Sequence, residues 1–302
     1  MSSERPTLNV PDAAQWRPGF DPAKATEAWI ATVPATARAK SDAYFEGGYW
    51  IDFGGAIIAL LVAWLLLASR ASAWWRDVSQ AKFRRAFPAT MLYGAGFSLA
   101  WSVLTLPWTF YTGYVREHRF GMSNQDLAGF LGDWGKGAGI EMVIFAVAIA
   151  GIYAIVRRVG RRWVIWAAVA TAVFMLVMNM VAPVFIKPLF NDYRPLAEGP
   201  LRDRILALAA DNRIPAKDVY WFDASKQTKR VSANVSGLFG TMRISLNDNL
   251  LNGASEPEIV AVMAHEMGHY VLDHGLKFTI AFTLLIGFGY WVVDRGFGAI
   301  QR

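Results

Sequence analysis

Five long apolar segments constrain the fold of this chain more than any other feature. The first of them, Tyr49–Ser69, is long enough to cross the ~30 Å hydrocarbon core of a bilayer as a helix. The chain is 54% hydrophobic and only 18% charged, whereas an average soluble domain has roughly 25% charged residues. Five such segments argue against the alternative, buried helices of a soluble protein. We therefore predict a mainly α, polytopic membrane fold with about five spans. The segments are Tyr49–Ser69, Pro88–Tyr114, Ile140–Val156, Trp163–Ile186 and Leu276–Val293.

A polar stretch of mixed composition, residues 188–274, separates the fourth apolar segment from the fifth. Apolar residues at helical spacing predict a helix over 199–212. Short strands are predicted at 218–222 and 242–246, and a further one at 231–237. These elements predict a small α+β unit. The expected organisation is an N-terminal extramembrane segment (1–48), a four-helix membrane region (49–187), the α+β unit (188–274) and a fifth span (275–302).

Composition excludes several other classes of protein. The net charge of +6 is spread over loops, and no basic stripe with interleaved aromatic residues is present. We therefore expect a lipid bilayer as partner, and no nucleic acid. The chain has no cysteine, which excludes disulfides and thiolate metal ligands. Its first 20 residues hold three prolines and no apolar run, so no cleavable secretory signal is predicted.

The basic residues in the loops bear on the orientation of this multi-pass integral membrane protein. Residues 70–87 contain five and residues 157–162 contain four, whereas residues 113–138 contain three. The positive-inside rule would place the first two loops in the cytoplasm and residues 188–274 on the opposite side. The charge difference is small, so the side of the membrane stays open.

The sequence HEMGH at residues 265–269 is the feature that points most directly to chemistry. Ser255 and Glu258 have the spacing of a capping box, which predicts that a helix begins just before the motif. Residues four apart on a helix lie on nearly the same face, so His265 and His269 can both reach one Zn²⁺ at roughly 2.0–2.1 Å. Glu266 is then placed to act as the general base. The preceding strands could dock an extended substrate by edge pairing. We predict a zinc-dependent peptidase; the alternative is a helix with two surface histidines.

A catalytic zinc site usually has three protein ligands, and the residues after HEMGH offer few further candidates. His274 lies five positions after His269, about 140° further around a continuous helix, so its ring is expected to point away. Asp273 would lie one turn further along the face of His269, in a supporting or surface role. Gly275 is the predicted stop of the helix.

No third protein ligand is found elsewhere in the sequence. No glutamate follows Glu266, and Asp294 sits at the end of a predicted membrane segment. His118 is predicted in a loop with no evident partner. The expected site therefore has one zinc per chain, held by His265 and His269, with Glu266 as the catalytic residue.

Further short motifs accompany the HEMGH helix and extend over roughly residues 49–300. They are KPLFN at 187–191 followed by Pro195-Leu196, DASK at 223–226, Gly237-Leu238 with Arg243-Ile244 and Asp248-Asn249-Leu250, the stretch 256–269, and EHRFGMS at 117–123. Their order and content resemble the type I CaaX prenyl protease family, which are membrane zinc metalloendopeptidases of the gluzincin group.

The resemblance implies a chamber enclosed by membrane helices, a zinc site that faces into it, and a peptidase unit on the cytoplasmic side. Substrates would be peptides or proteins, lipidated in the case of CaaX processing. The third zinc ligand would be a glutamate in an E-x-x-x-D motif after the last spans. That motif is missing here, so we expect a truncated member that lacks the C-terminal part of the family. Ser232-Ala233-Asn234 also departs from the N-A-[YF] pattern of the strand that lines the cleft.

Three functions are therefore carried forward. The first is a CaaX prenyl protease-like zinc endopeptidase, and the missing C-terminal part leaves open whether this fragment is active. The second is a protease that clips misfolded membrane proteins in quality control. The third is a non-catalytic membrane binding protein with a vestigial metal site.

Overall fold

The computed structural model describes residue 7 and residues 9–237 and 242–300. Leu238, which belongs to one of the motifs above, lies outside the described residues. Within them the chain is mainly α, as the sequence predicts, with one small mixed sheet. The helices are α1 (Pro22–Ala31), α2 (Ala35–Ala68), α3 (Ala71–Lys82), α4 (Ala86–Phe110), α5 (Arg116–Arg119), α6 (Leu127–Val159), α7 (Trp163–Val181), α8 (Pro200–Asp211), α9 (Asp248–Gly253), α10 (Glu256–Val271) and α11 (His274–Ile300).

The five predicted apolar segments lie along α2, α4, α6, α7 and α11, and the second and fourth continue into the π-helical segments Tyr111–Val115 and Ala182–Ile186. By length and composition, four stretches of the described chain qualify as membrane spans: Ala35–Ala68, Ala86–Arg119, Leu127–Leu189 and His274–Ile300. The third stretch contains both α6 and α7, which are separated by a turn at Gly160. Gly160 has φ 55°, in the left-handed region that glycine adopts without steric cost. The chain is thus a multi-pass integral membrane protein. Its first long helix begins at Ala35, earlier than the apolar run itself.

Small residues let the apolar helices approach each other closely. α4 packs against α3 and α6, and α7 packs against α11. A Cβ atom on Gly94 of α4 would lie 2.5 Å from Ile149 Cγ2 and 3.1 Å from the backbone of Ala146, both on α6. Such small-residue contacts are the usual means of packing helices in lipid, where no hydrophobic driving force acts between them.

The polar stretch forms the predicted α+β unit around a four-stranded sheet. Its strands are β1 (Tyr193–Pro195), β2 (Val219–Phe222), β3 (Ala233–Ser236) and β4 (Arg243–Asn247), in the spatial order β1-β2-β4-β3. β2 and β4 are parallel, with Val219 opposite Ile244, and the two outer strands are antiparallel to their neighbours. Side chains of α8 and α10 complete a buried apolar core against this sheet.

Two loops hold the α+β unit against the membrane helices. Ser123 forms an isolated antiparallel bridge with Thr228, and its hydroxyl donates to the carbonyl of Gln227 at 3.1 Å. Nearby, the Arg230 guanidinium contacts both carboxylate oxygens of Glu117 at 2.9 Å and also donates to the Tyr44 hydroxyl. The unit is therefore fixed to the N-terminal part of α2, to α5 and to the loop that follows α5.

Candidate active site

The helix that carries HEMGH is fixed at its start by the predicted capping box. Ser255 is the N-cap residue of α10 and Glu258 is at N3. The Glu258 carboxylate accepts from the Ser255 hydroxyl at 2.6 Å and from its backbone N–H at 2.8 Å. These two hydrogen bonds lower the pKa of Glu258 below its usual value. The capping box fixes the starting point of the helix and therefore the rotation at which its later residues face the core or solvent.

One face of α10 is buried and the opposite face carries the motif. Ile259, Met263 and Met267 succeed each other at four-residue spacing and are at most 1% exposed. They pack into the core of the α+β unit. With this stripe fixed inward, His265 and His269 are exposed and Glu266 is half-buried. Packing of the apolar stripe thus turns His265, Glu266 and His269 away from the core of the α+β unit.

The two histidine side chains of the motif face each other. His265 Nε2 lies 3.1 Å from His269 Nε2, and the ring centroids are 4.8 Å apart at an interplanar angle of 83°. Two nitrogens bound to one tetrahedral zinc at 2.0–2.1 Å would be about 3.3 Å apart. The observed distance between the two nitrogens is therefore compatible with two ligands of one zinc ion.

His274 does not point away, and the expectation that it would is wrong. Its Nδ1 lies 2.6 Å from His269 Nδ1, with the rings 4.9 Å apart. The reason is that the helix ends at Val271, and not at Gly275 as predicted. Asp273 takes a left-handed conformation with φ 53°, and His274 begins α11. The count of 140° around a continuous helix therefore does not apply.

Sequence reasoning did not place His274 beside the motif, although one signal was available. Three of the four histidines in the chain lie within residues 265–274. The structure brings these three rings into one row, with His269 in the middle. Because His274 contacts the Nδ1 side of His269, it cannot face the space between the two Nε2 atoms.

The remaining candidates lie elsewhere. Asp273 is exposed in the turn after α10, and the Asp294 carboxylate accepts a hydrogen bond from the Trp163 indole at 2.7 Å. His118 lies in the short helix α5, not in a loop, and its Nδ1 is 2.8 Å from the carbonyl oxygen of Tyr114. Among residues 9–237 and 242–300, no group of three or more His, Asp or Glu side chains is arranged to hold a metal ion.

An edge strand lies beside the motif helix. β3 pairs only with β4 in the described sheet, and α10 packs against β3. An extended peptide can add to such an edge through main-chain hydrogen bonds. The Asn234 side chain on β3 accepts a hydrogen bond from Lys187 Nζ at 3.3 Å, which joins the strand to the end of the membrane region.

The DASK motif holds the turn that follows β2. Asp223 accepts from the backbone N–H of Asp192 at 2.8 Å and pairs with Lys226 at 3.0 Å. Burial raises the pKa of Asp223, but Lys226 and the other donors outweigh burial and leave this pKa below its usual value. Ser225 donates through its backbone N–H to the Asp248 carboxylate at 2.9 Å. The motif is thus a structural clasp between β1, β2 and α9.

Comparison with known proteins also places a membrane region first and a peptidase unit after it. Residues 24–192 match the family described as CAAX prenyl protease N-terminal, five membrane helices. Residues 195–302 match peptidase family M48. The first match alone spans more than half of the chain, and the two meet at the start of the α+β unit.

Individual relatives extend this result. The chain is 33% identical over 214 residues to the uncharacterized metalloprotease YhfN of Bacillus subtilis, covering 70% of this chain and 50% of that protein. It is 35% identical over 210 residues to a CAAX prenyl protease 1 homolog of Arabidopsis thaliana, covering 68% of this chain and 49% of that protein. The crystal structure of S. mikatae Ste24p is similar in fold, with a TM-score of 0.73 at 23% identity, covering 87% of this chain and 64% of that one.

The chain spans about half the length of the curated relatives it matches. Both family matches, and the agreement in fold, nevertheless run through the membrane helices and the unit that holds HEMGH. The chain therefore belongs to the CAAX prenyl protease 1 family, whose members join an N-terminal membrane domain to an M48 peptidase.

Proposed function

We propose that this chain acts as a membrane-embedded zinc metalloendopeptidase of the CaaX-processing type. The observation that carries the proposal is the 3.1 Å separation of His265 Nε2 and His269 Nε2 on a helix that also presents Glu266. The relatives named CAAX prenyl protease 1 support a peptide or protein substrate with a lipidated CaaX C-terminus. The outer edge of β3, which pairs with no other strand among the described residues, supports binding of that substrate in extended form.

The proposed roles follow from the chemistry of each side chain. His265 and His269 hold Zn²⁺ through neutral imidazole Nε2 atoms. The chemistry that zinc supplies when bound is polarisation of a carbonyl group and a lowered pKa for water. Glu266 accepts the proton from the attacking water and returns it to the leaving amine. β3 orients the scissile peptide beside these groups.

Zinc binding by the 302-residue chain is expected to be weak and to depend on both histidines. Two imidazoles make only part of the usual three-ligand set, so purified protein should hold less than one zinc per chain until zinc is added. His265→Ala should weaken binding at least about a hundredfold, because a ligand is removed outright. Competition with a chelator of known affinity measures the effect, and His118→Ala is the matched control. Equal affinity in wild type and His265→Ala would contradict the zinc site; tight stoichiometric zinc would require a ligand not assigned here.

Substrate choice separates CaaX processing from quality control. With zinc added, the chain in lipid nanodiscs should cleave a farnesylated CaaX peptide faster than the same peptide without the lipid. The lipid is expected to bind among the exposed apolar side chains of the membrane helices and thereby raise the local substrate concentration. An unfolded soluble protein serves as competitor. Equal cleavage of all three would favour the quality-control function, and zinc binding with no cleavage of any would favour the vestigial site.

A further inference from the structure

His274 contacts the motif from outside the pair of zinc-facing nitrogens. Its Nδ1 lies 2.6 Å from His269 Nδ1, while His269 Nε2 lies 3.1 Å from His265 Nε2. His269 thus uses one ring nitrogen toward each neighbour. A neutral imidazole carries one N–H donor and one acceptor nitrogen, so the two contacts of His269 cannot be assigned independently.

With all three rings neutral, only two arrangements of protons satisfy both contacts. In the first, His265 Nε2 donates to His269 Nε2, and His269 Nδ1 donates to His274 Nδ1. In the second, His269 Nε2 donates to His265 Nε2, and His274 Nδ1 donates to His269 Nδ1. His269 then carries its proton on Nε2. A metal-binding nitrogen must be free of its proton, so of the two arrangements only the first leaves His269 Nε2 ready for zinc. In that arrangement His274 is the acceptor. Zinc would replace the contact between the two Nε2 atoms, and the proton of His265 would then lie on its Nδ1.

We infer that His274 is a positioning residue that fixes the tautomer and ring orientation of His269 for zinc. The inference rests on the proposed function and deepens it. Histidine ligands commonly donate their second N–H to a carboxylate, a carbonyl or water; here the acceptor is another imidazole. The short chain between the two rings takes the left-handed turn at Asp273, and the His274 ring also lies 6.1 Å from that of Phe278. The last membrane helix thereby orients the zinc ligand.

Zinc affinity is the first test, with three variants of the full chain. His274→Phe keeps a ring at the position but removes the acceptor, and should weaken zinc binding about 10- to 100-fold, the usual range for such a partner. His274→Asn offers an amide oxygen near the position of Nδ1 and should stay within about threefold of wild type. His118→Phe removes a histidine from the membrane region and should have no effect.

The tautomer of His269 is the second test and needs no zinc. The chain has four histidines, so ¹⁵N-histidine labelling gives four imidazoles to resolve by solid-state NMR, assigned with the single variants. Zinc-free wild type and His274→Asn should show the proton of His269 on Nδ1, and His274→Phe should show a shift of the proton toward Nε2. A residue that only stabilised the turn would leave this tautomer unchanged.

The outcomes distinguish the inference from the function on which it rests. If His265→Ala loses zinc but His274→Phe binds it like wild type with an unchanged His269 tautomer, the positioning role is wrong and the zinc site stands. If His265→Ala and wild type bind zinc equally, the proposed function itself fails. Loss of affinity in His274→Phe, with rescue by His274→Asn and the expected tautomers, supports the inference.

Discussion

Replacing Glu266 with glutamine is expected to abolish peptide hydrolysis and to leave zinc binding unchanged. Glutamine has the shape of glutamate but cannot accept the proton of the attacking water. General acid–base catalysis contributes about 10²- to 10⁴-fold to rate, so cleavage of a farnesylated CaaX peptide by zinc-loaded protein should fall by at least about a hundredfold. His265 and His269 are untouched, so chelator competition should give the wild-type zinc affinity.

Glu256→Gln is the matched control for this variant, because it makes the same chemical change on the same helix. Glu256 pairs with Arg204 at 3.0 Å and lies ten residues before Glu266, about 15 Å along the helix axis. The Glu256→Gln variant should cleave the farnesylated CaaX peptide at the wild-type rate. Measurable hydrolysis by Glu266→Gln at the wild-type rate would refute the role of Glu266. Loss of zinc in that variant would instead show that the carboxylate is needed to hold the metal.

Sequence reasoning succeeded where a local pattern determines the structure. The apolar segments predicted the long helices, and the short strands predicted at 218–222 and 242–246 agree with β2 and β4 within one residue at each end. The capping box at Ser255 and Glu258 predicted the start of α10. The spacing of His265 and His269 predicted that their rings would meet. Each of these features depends on residues fewer than about six positions apart, or on hydrophobicity alone.

Sequence reasoning failed where the chain breaks a local rule or pairs at long range. Gly275 was the residue favoured to end α10, but Asp273 took the left-handed conformation and the helix ended earlier. Because the helix ends a few residues earlier, the His274 ring points toward His269 and not away from it. β1 is only three residues long and is stabilised by pairing with β2, so it has no pattern of its own. Likewise, nothing in the EHRFGMS and DASK motifs indicates that Ser123 would pair with Thr228.

Asn247→Leu is expected to destabilise the α+β unit by about 3 kcal/mol, because it removes a buried amide that joins three segments. Asn247 is 0% exposed. Its Oδ1 accepts from the backbone N–H groups of Ser232 at 3.1 Å and Leu250 at 3.0 Å. Its Nδ2 donates to the carbonyl of Arg230 at 2.7 Å. Leucine has a similar volume, so the loss arises from backbone groups left without a partner, at about 1–3 kcal/mol each.

The effect should spread from this residue to the helix that carries HEMGH. Asn247 fixes the segment that leads into β3, and β3 packs against α10. Hydrogen exchange should therefore rise in β3, β4 and α10, and limited proteolysis should cut the α+β unit sooner, while the membrane helices stay protected. Asn252→Leu, at an exposed position of α9, is the control and should leave exchange unchanged. If the two variants exchange alike, the buried amide is not what holds β3 beside α10, and packing of apolar side chains alone must position the strand.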